Sequence, residues 1–236
     1  MEYYARLTDF KTKILSYVET IFKCYGNELL LRLEDYNLLE HPNNCVQSST
    51  AIGYAIKEFL VSKLETFTQN HVAPEYKICR DSSVQSTTNA SYDCFSWLEP
   101  SLFAMINLKM NKARCANNAV AAIHRLYEDF VVKSPETPKC LMVLKIFYDF
   151  ALSTRDRQRK IFVTNASAYF LDEIDLRENH RQDQRNWSAN FNPNSGRLQI
   201  SEKMLRENRL PPEEISYQNT CETLRAIVER NAKKVR

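Results

Sequence analysis

The stretch YDCFSWLEPSLFAMINLKMNK, residues 92–112, decides how this chain is read. A polar segment ends at Asp93. After a short interruption, residues 102–110 form an apolar run broken by one lysine, Lys109, with Asn107 two positions before it. Side chains alternate along a strand, so Asn107 and Lys109 share a face. A hairpin between residues 91–95 and 102–110 brings Asp93 beside them. A lysine in a half-buried strand is costly unless it is paired or solvated, so Lys109 implies a partner or a task. An acid, an amide oxygen and an amine at one spot suit phosphodiester cleavage. Asp93, Asn107 and the backbone carbonyl of Leu108 are oxygen ligands for Mg²⁺, which neutralises the charge of the reacting phosphate. Lys109 then positions and activates the attacking water.

Outward from this stretch, the chain alternates between helical and extended patterns. Residues 7–25 place Phe10, Ile14, Leu15, Val18, Ile21 and Phe22 at helical spacing ahead of Gly26. Residues 28–39 read as a second helix, and 41–50 as a loop. A third helix covers 51–69, capped by Ser49 or Thr50. Its stripe is Ile52, Ala55, Ile56, Phe59, Leu60 and Leu64, with Lys57 and Glu58 off it. Residues 75–80 are a candidate strand and 81–89 a loop or hairpin tip. After residue 112, Ala116, Ala119, Val120, Ile123, Leu126, Tyr127 and Phe130 make another helical stripe, ended by Pro135 and Pro138. Residues 140–152 and 161–174 are long strands, the first central, joined by a charged loop at 153–160. Residues 178–194 are a polar loop and 197–200 a short strand or turn. Ser201 caps a short helix, and Pro211 and Pro212 open a last one over 213–232. This order predicts an α/β (α+β) fold, a central mixed β-sheet flanked by helices, in one domain over residues 1–236.

Composition narrows the function. Three glycines, Gly26, Gly53 and Gly196, cannot build a Gly-rich phosphate loop or a dinucleotide fingerprint, so no nucleotide cofactor is expected. A net charge of +3 is too mild to name a nucleic-acid partner by itself. Seven cysteines without a CxxC pair fit free thiols in a reducing cytoplasm better than disulfides or zinc. The opening MEYYARLTDFK has no apolar run, so no signal peptide is expected, and no stretch is long enough to span a bilayer.

Asp93, thirteen intervening residues and then Asn107-Leu108-Lys109 resemble the PD-(D/E)xK nuclease motif. The motif strand FAMINLKMNKA, the following ANNAVAAIHRLYEDF and the preceding SSTAIGYAIKEFL are similar to the surroundings of that motif in type II restriction endonucleases, over residues 48–201. The resemblance implies a restriction-endonuclease-like core at 48–174, an N-terminal helical region at 1–47, and a recognition loop with C-terminal helices at 175–236. It implies a prokaryotic, cytoplasmic, Mg²⁺-dependent endonuclease. Such an enzyme cuts duplex DNA at a specific sequence to 5′-phosphate and 3′-hydroxyl ends, as a homodimer. Asn107 departs from the pattern by standing where an acid is usual. Glu58, on the preceding helix, is the candidate that restores the missing charge. Two other readings stay open: a non-specific or repair nuclease of the same superfamily, and a DNA-binding protein whose site has decayed.

The DNA contacts follow from side-chain chemistry. Arg155, Arg157, Arg159 and Lys160 crowd one loop and suit phosphates, a solvated charge run being the plain alternative. Asn117 and Asn118 at a helix start suit phosphate too. Asn192, Ser195, Arg197 and Gln199 carry the groups that read base edges. His124 is read as a structural histidine.

Overall fold

Leu102, Ala104, Ile106 and Leu108 bury in one apolar cluster and Met105 in another. Period two along one strand thus feeds the two faces of a sheet, as residues 102–110 predict. The computed structural model describes residues 2–25, 28–29, 49–70, 75–80, 90–98, 101–112, 118–152, 159–177 and 197–234. In chain order these form α1 (Glu2–Tyr25), β1 (Glu28–Leu29), α2 (Ser49–Asn70), β2 (Cys94–Leu98), β3 (Leu102–Lys112), β4 (Ala119–Ala122), α3 (Ile123–Tyr127), β5 (Lys139–Leu152), β6 (Arg159–Phe170), β7 (Arg197–Gln199), α4 (Glu202–Glu207) and α5 (Tyr217–Lys234).

The fold is mixed α/β. Five strands lie in the order β1-β6-β5-β3-β2, with β4 and β7 a separate pair. The β2/β3 hairpin is antiparallel, β3 and β5 run parallel, and β5/β6 and β1/β6 are antiparallel. A single bridge, Cys79 to Phe95, extends the hairpin side. The parallel register sets Asn107 beside Val143 and Lys109 beside Lys145.

One face is covered by α1 and α2. Leu7, Phe10, Ile14, Val18, Ile21 and Phe22 of α1 and Ile56, Leu60 and Leu64 of α2 pack on Ile106, Leu108, Met142, Leu144 and Ile146. The other face carries Met105, Leu141 and Val143 under Ile123 and Leu126 of α3, Leu198 of β7, Met204 of α4 and Leu224 and Ile227 of α5. Ser201 caps α4 as read, its hydroxyl accepting from the Met204 N–H. No helix among the described residues is long and apolar enough to cross a membrane.

The sequence reading needs correcting at several places. Glu28 and Leu29, expected in a helix over 28–39, form a strand against Phe162 and Ile161, where they satisfy backbone groups at the outer edge of β6. The expected stretch 30–39 lies outside the described residues. Ala119–Ala122, expected to be helical, pairs with β7; a tertiary partner overrides the local stripe, and the helix starts only at Ile123. It then widens into a π-turn over Glu128–Val132. Strand β6 stops at Phe170, and Leu171–Glu173 make a 3₁₀ turn. Arg159 and Lys160, expected in a loop, open β6 opposite Leu152 and Ala151.

Candidate functional site

Asp93 stands just before β2. Its N–H donates to the Ile106 carbonyl at 2.8 Å, although Ile106 is registered opposite Cys94. Two residues therefore face one, the arrangement of a β-bulge, which re-aims a side chain next to a strand end. The carboxylate turns toward α2. Its Oδ1 lies 2.6 Å from Lys57 Nζ, and its Oδ2 accepts from the Leu108 N–H at 2.7 Å. That second bond satisfies a β3 donor where β2 pairing has ended. Both members of the ion pair are largely shielded, with 13% and 6% of their side chains exposed.

Glu58 is not part of this contact. Its carboxylate pairs with Arg80 at 3.0 Å and is 48% exposed, while Arg80 also reaches Glu65 at 3.5 Å. One residue along a helix is a turn of about 100°, so when Lys57 faces Asp93 its neighbour must face elsewhere. The acid expected from this helix is thus replaced by a cation. The signal was present in the sequence. Gly53, Ile56, Lys57, Leu60 and Leu64 follow i, i+3, i+4, i+7 spacing, so Lys57 belongs to the buried stripe.

Asn107 is on the opposite face. Its Nδ2 donates to the Ser91 carbonyl at 2.5 Å and to the Val120 carbonyl at 3.4 Å. Its Oδ1 is buried and has no partner among the described residues. Ser91 is itself fixed, its N–H donating to Asp129 Oδ2 at 2.8 Å. The Leu108 carbonyl shares the open edge of β3 with its N–H, since both groups of a strand residue point the same way.

Lys109 follows Asn107 on that face. Burial pushes its ammonium down to about 8, the Asp93 carboxylate pulls it back up, and the Lys57 and Arg197 cations push it down further. Arg197, exposed at the start of β7, is brought to Lys109 by the β4–β7 pair. Gln199, expected to read bases, is buried opposite Ala119 and is not available for that role as it stands. Asn118 immediately precedes β4, its carbonyl accepting from the Ile200 N–H and its Oδ1 buried without a partner among the described residues. Asn117, Arg155, Arg157, Asn192 and Ser195 lie outside the described residues. The reading also missed Lys145, buried beside Lys109 and paired with Glu202 of α4 at 2.5 Å.

These residues do not fit a resident Mg²⁺. The orphaned Asn107 Oδ1 is an oxygen ligand seeking a partner, but it lies across the sheet from the Asp93 carboxylate. Both Asp93 oxygens are already engaged. One cation, Lys57, pairs with that carboxylate, and the positive charges of Lys57 and Arg197 both act on Lys109. Among the described residues no three His, Cys, Asp or Glu side chains come together as metal ligands. A cluster with this excess of positive charge attracts an anion.

Compared with models of known protein families and with curated proteins, the chain matches none.

Proposed function

We propose that this protein binds duplex DNA by its phosphodiester backbone, on a nuclease-like core whose hydrolytic centre is incomplete. One observation carries the reading. Lys57 pairs with the Asp93 carboxylate at 2.6 Å, and Lys109, on the other face of β3, is held below its ordinary range first by burial and then by the charges of Lys57 and Arg197. Cations that outnumber the acids near them suit phosphate oxygens, whose contact releases condensed counterions. The hairpin, the crossover through α3 and the parallel strand β5 also come in the order that the nuclease resemblance implies.

Binding of a labelled duplex in EDTA, followed by fluorescence anisotropy across a salt series, tests this reading. Wild type should bind at low salt. Lys109→Met and Arg197→Ala should each weaken binding and lower the salt slope by about one. A duplex that does not bind at low salt, or slopes that the substitutions leave unchanged, would sink it.

A second reading has its own support. Lys109 at about 8 lies near the value useful for proton transfer, and Asn107 Oδ1 is an unused oxygen. On that reading the chain is a Mg²⁺-dependent, site-specific endonuclease working as a homodimer. Supercoiled plasmid incubated with Mg²⁺ decides it: discrete bands that vanish in EDTA and in Lys109→Met favour hydrolysis, and intact plasmid favours binding alone.

A further inference from the structure

The geometry points to Lys57 as a built-in substitute for a divalent cation at Asp93, making this a phosphodiester-binding centre that works without metal. The inference rests on the DNA-binding reading above and says how that site is charged.

In the nuclease arrangement that the sequence resembles, Asp93 would face Mg²⁺. Here its Oδ1 faces the Lys57 ammonium at 2.6 Å, and its Oδ2 is closed by the Leu108 N–H. The position of Lys57 is fixed from several sides. Gly53, one turn earlier on α2, lets the helix come close to β3: a Cβ there would lie 3.2 Å from Met110 Cβ and 3.6 Å from the Tyr148 hydroxyl. The Lys57 ammonium also lies 5.1 Å from the Tyr54 ring centre, a favourable cation–π distance. Glu58, the acid expected to restore a metal site, is held away by Arg80.

A metal ion entering at Asp93 would have to expel this ammonium. It would leave a shielded lysine without its counter-ion, beside Lys109 and Arg197, which already repel a cation. A phosphodiester meets the opposite balance. Asp93 and Lys57 neutralise each other, and Lys109 and Arg197 supply the positive charge that a phosphate oxygen needs. Lys57 thus sets the charge of the site as a positioning residue rather than as the phosphate's main partner.

The test measures metal and DNA separately on the full chain. Mn²⁺ uptake is read from the loss of the free-ion paramagnetic resonance signal, with wild type, Lys57→Gln, Lys57→Glu and Lys57→Glu/Asp93→Asn. Wild type should leave the signal unchanged, and its affinity for duplex DNA should agree within twofold between EDTA and Mg²⁺. Lys57→Glu should take up one Mn²⁺ per chain, and the added Asp93→Asn change should abolish that uptake. Mn²⁺ uptake by wild type that Asp93→Asn removes would overturn the inference. So would folded Lys57→Gln and Lys57→Glu proteins, checked by circular dichroism, that both fail to take up Mn²⁺. If neither variant folds, the wild-type arm decides: a tenfold or greater gain in DNA affinity on adding Mg²⁺ overturns the proposal, and equality supports it. Failure of wild type to bind DNA at all would refute the DNA reading, while the Mn²⁺ arms would still judge the role of Lys57.

Discussion

Raising the pH from 7 to 9 should weaken DNA binding about tenfold through one side chain, Lys109. Its ammonium sits at about 8 because burial and the cations Lys57 and Arg197 outweigh the pull of Asp93. In the free protein the charged fraction is therefore about 0.9 at pH 7 and about 0.1 at pH 9, from simple titration about that value. A phosphate bound beside Lys109 restores its charge, so only the protonated form contributes to affinity. The loss across this range is about tenfold, or about 1.4 kcal/mol. The sign follows from the depressed value: the charge that binds is present below 8 and lost as pH rises through it. The duplex phosphates do not titrate in this window. Anisotropy titrations at fixed ionic strength measure the effect. Calorimetry in two buffers of different ionisation enthalpy should show about half a proton taken up per chain on binding near pH 8. Lys109→Arg should flatten the profile, because guanidinium stays charged. A wild-type slope that persists unchanged in Lys109→Met would refute the reasoning, since the titrating group would then lie elsewhere.

Buried Asp172 gives a second pH signature, in stability. It accepts from Tyr3, Thr220 and the Leu141 N–H, yet burial raises it to about 6. Its contribution is present below the ordinary carboxylate value of 3.8 and lost as pH rises through about 6. Urea unfolding should therefore show wild type losing about 3 kcal/mol relative to Asp172→Asn between pH 3.5 and 7; parallel profiles would contradict this. Gly53→Leu should push α2 off Met110 and lower stability by about 1–3 kcal/mol in the same assay, whereas Gly53→Ala should change it by less than about 1 kcal/mol, the helix-propensity gain offsetting the tight contact. For the buried Lys145–Glu202 pair, Glu202→Gln should destabilise more than Lys145→Met, because it strands the buried ammonium while the half-exposed Glu202 can be hydrated. The reverse order in thermal melts would show that Lys145 acts by packing alone.

The chain's own pattern determined the elements that local periodicity can write. The apolar spacing of residues 7–22 set helix α1 and its buried face, and the alternation of residues 102–110 set β3, its two faces and the hairpin with β2. It also put Asp93 and Lys109 on the same hairpin, since a hairpin register follows from a short connection. Only the tertiary structure decided what these residues meet. A bulge at Asp93 turned its carboxylate toward α2 and away from Asn107, and the close approach allowed by Gly53 delivered Lys57 rather than Glu58 to it. Ala119–Ala122 became a strand because β7 offered backbone partners, and that pairing carried Arg197 to Lys109. The division has a physical cause. Helix and strand periods repeat within a few residues and leave their mark in the sequence, whereas a charge partner depends on which of two adjacent side chains, about 100° apart on a helix, the packing of distant elements turns inward. That single turn gave the Asp93 carboxylate an ammonium partner in place of a second acid.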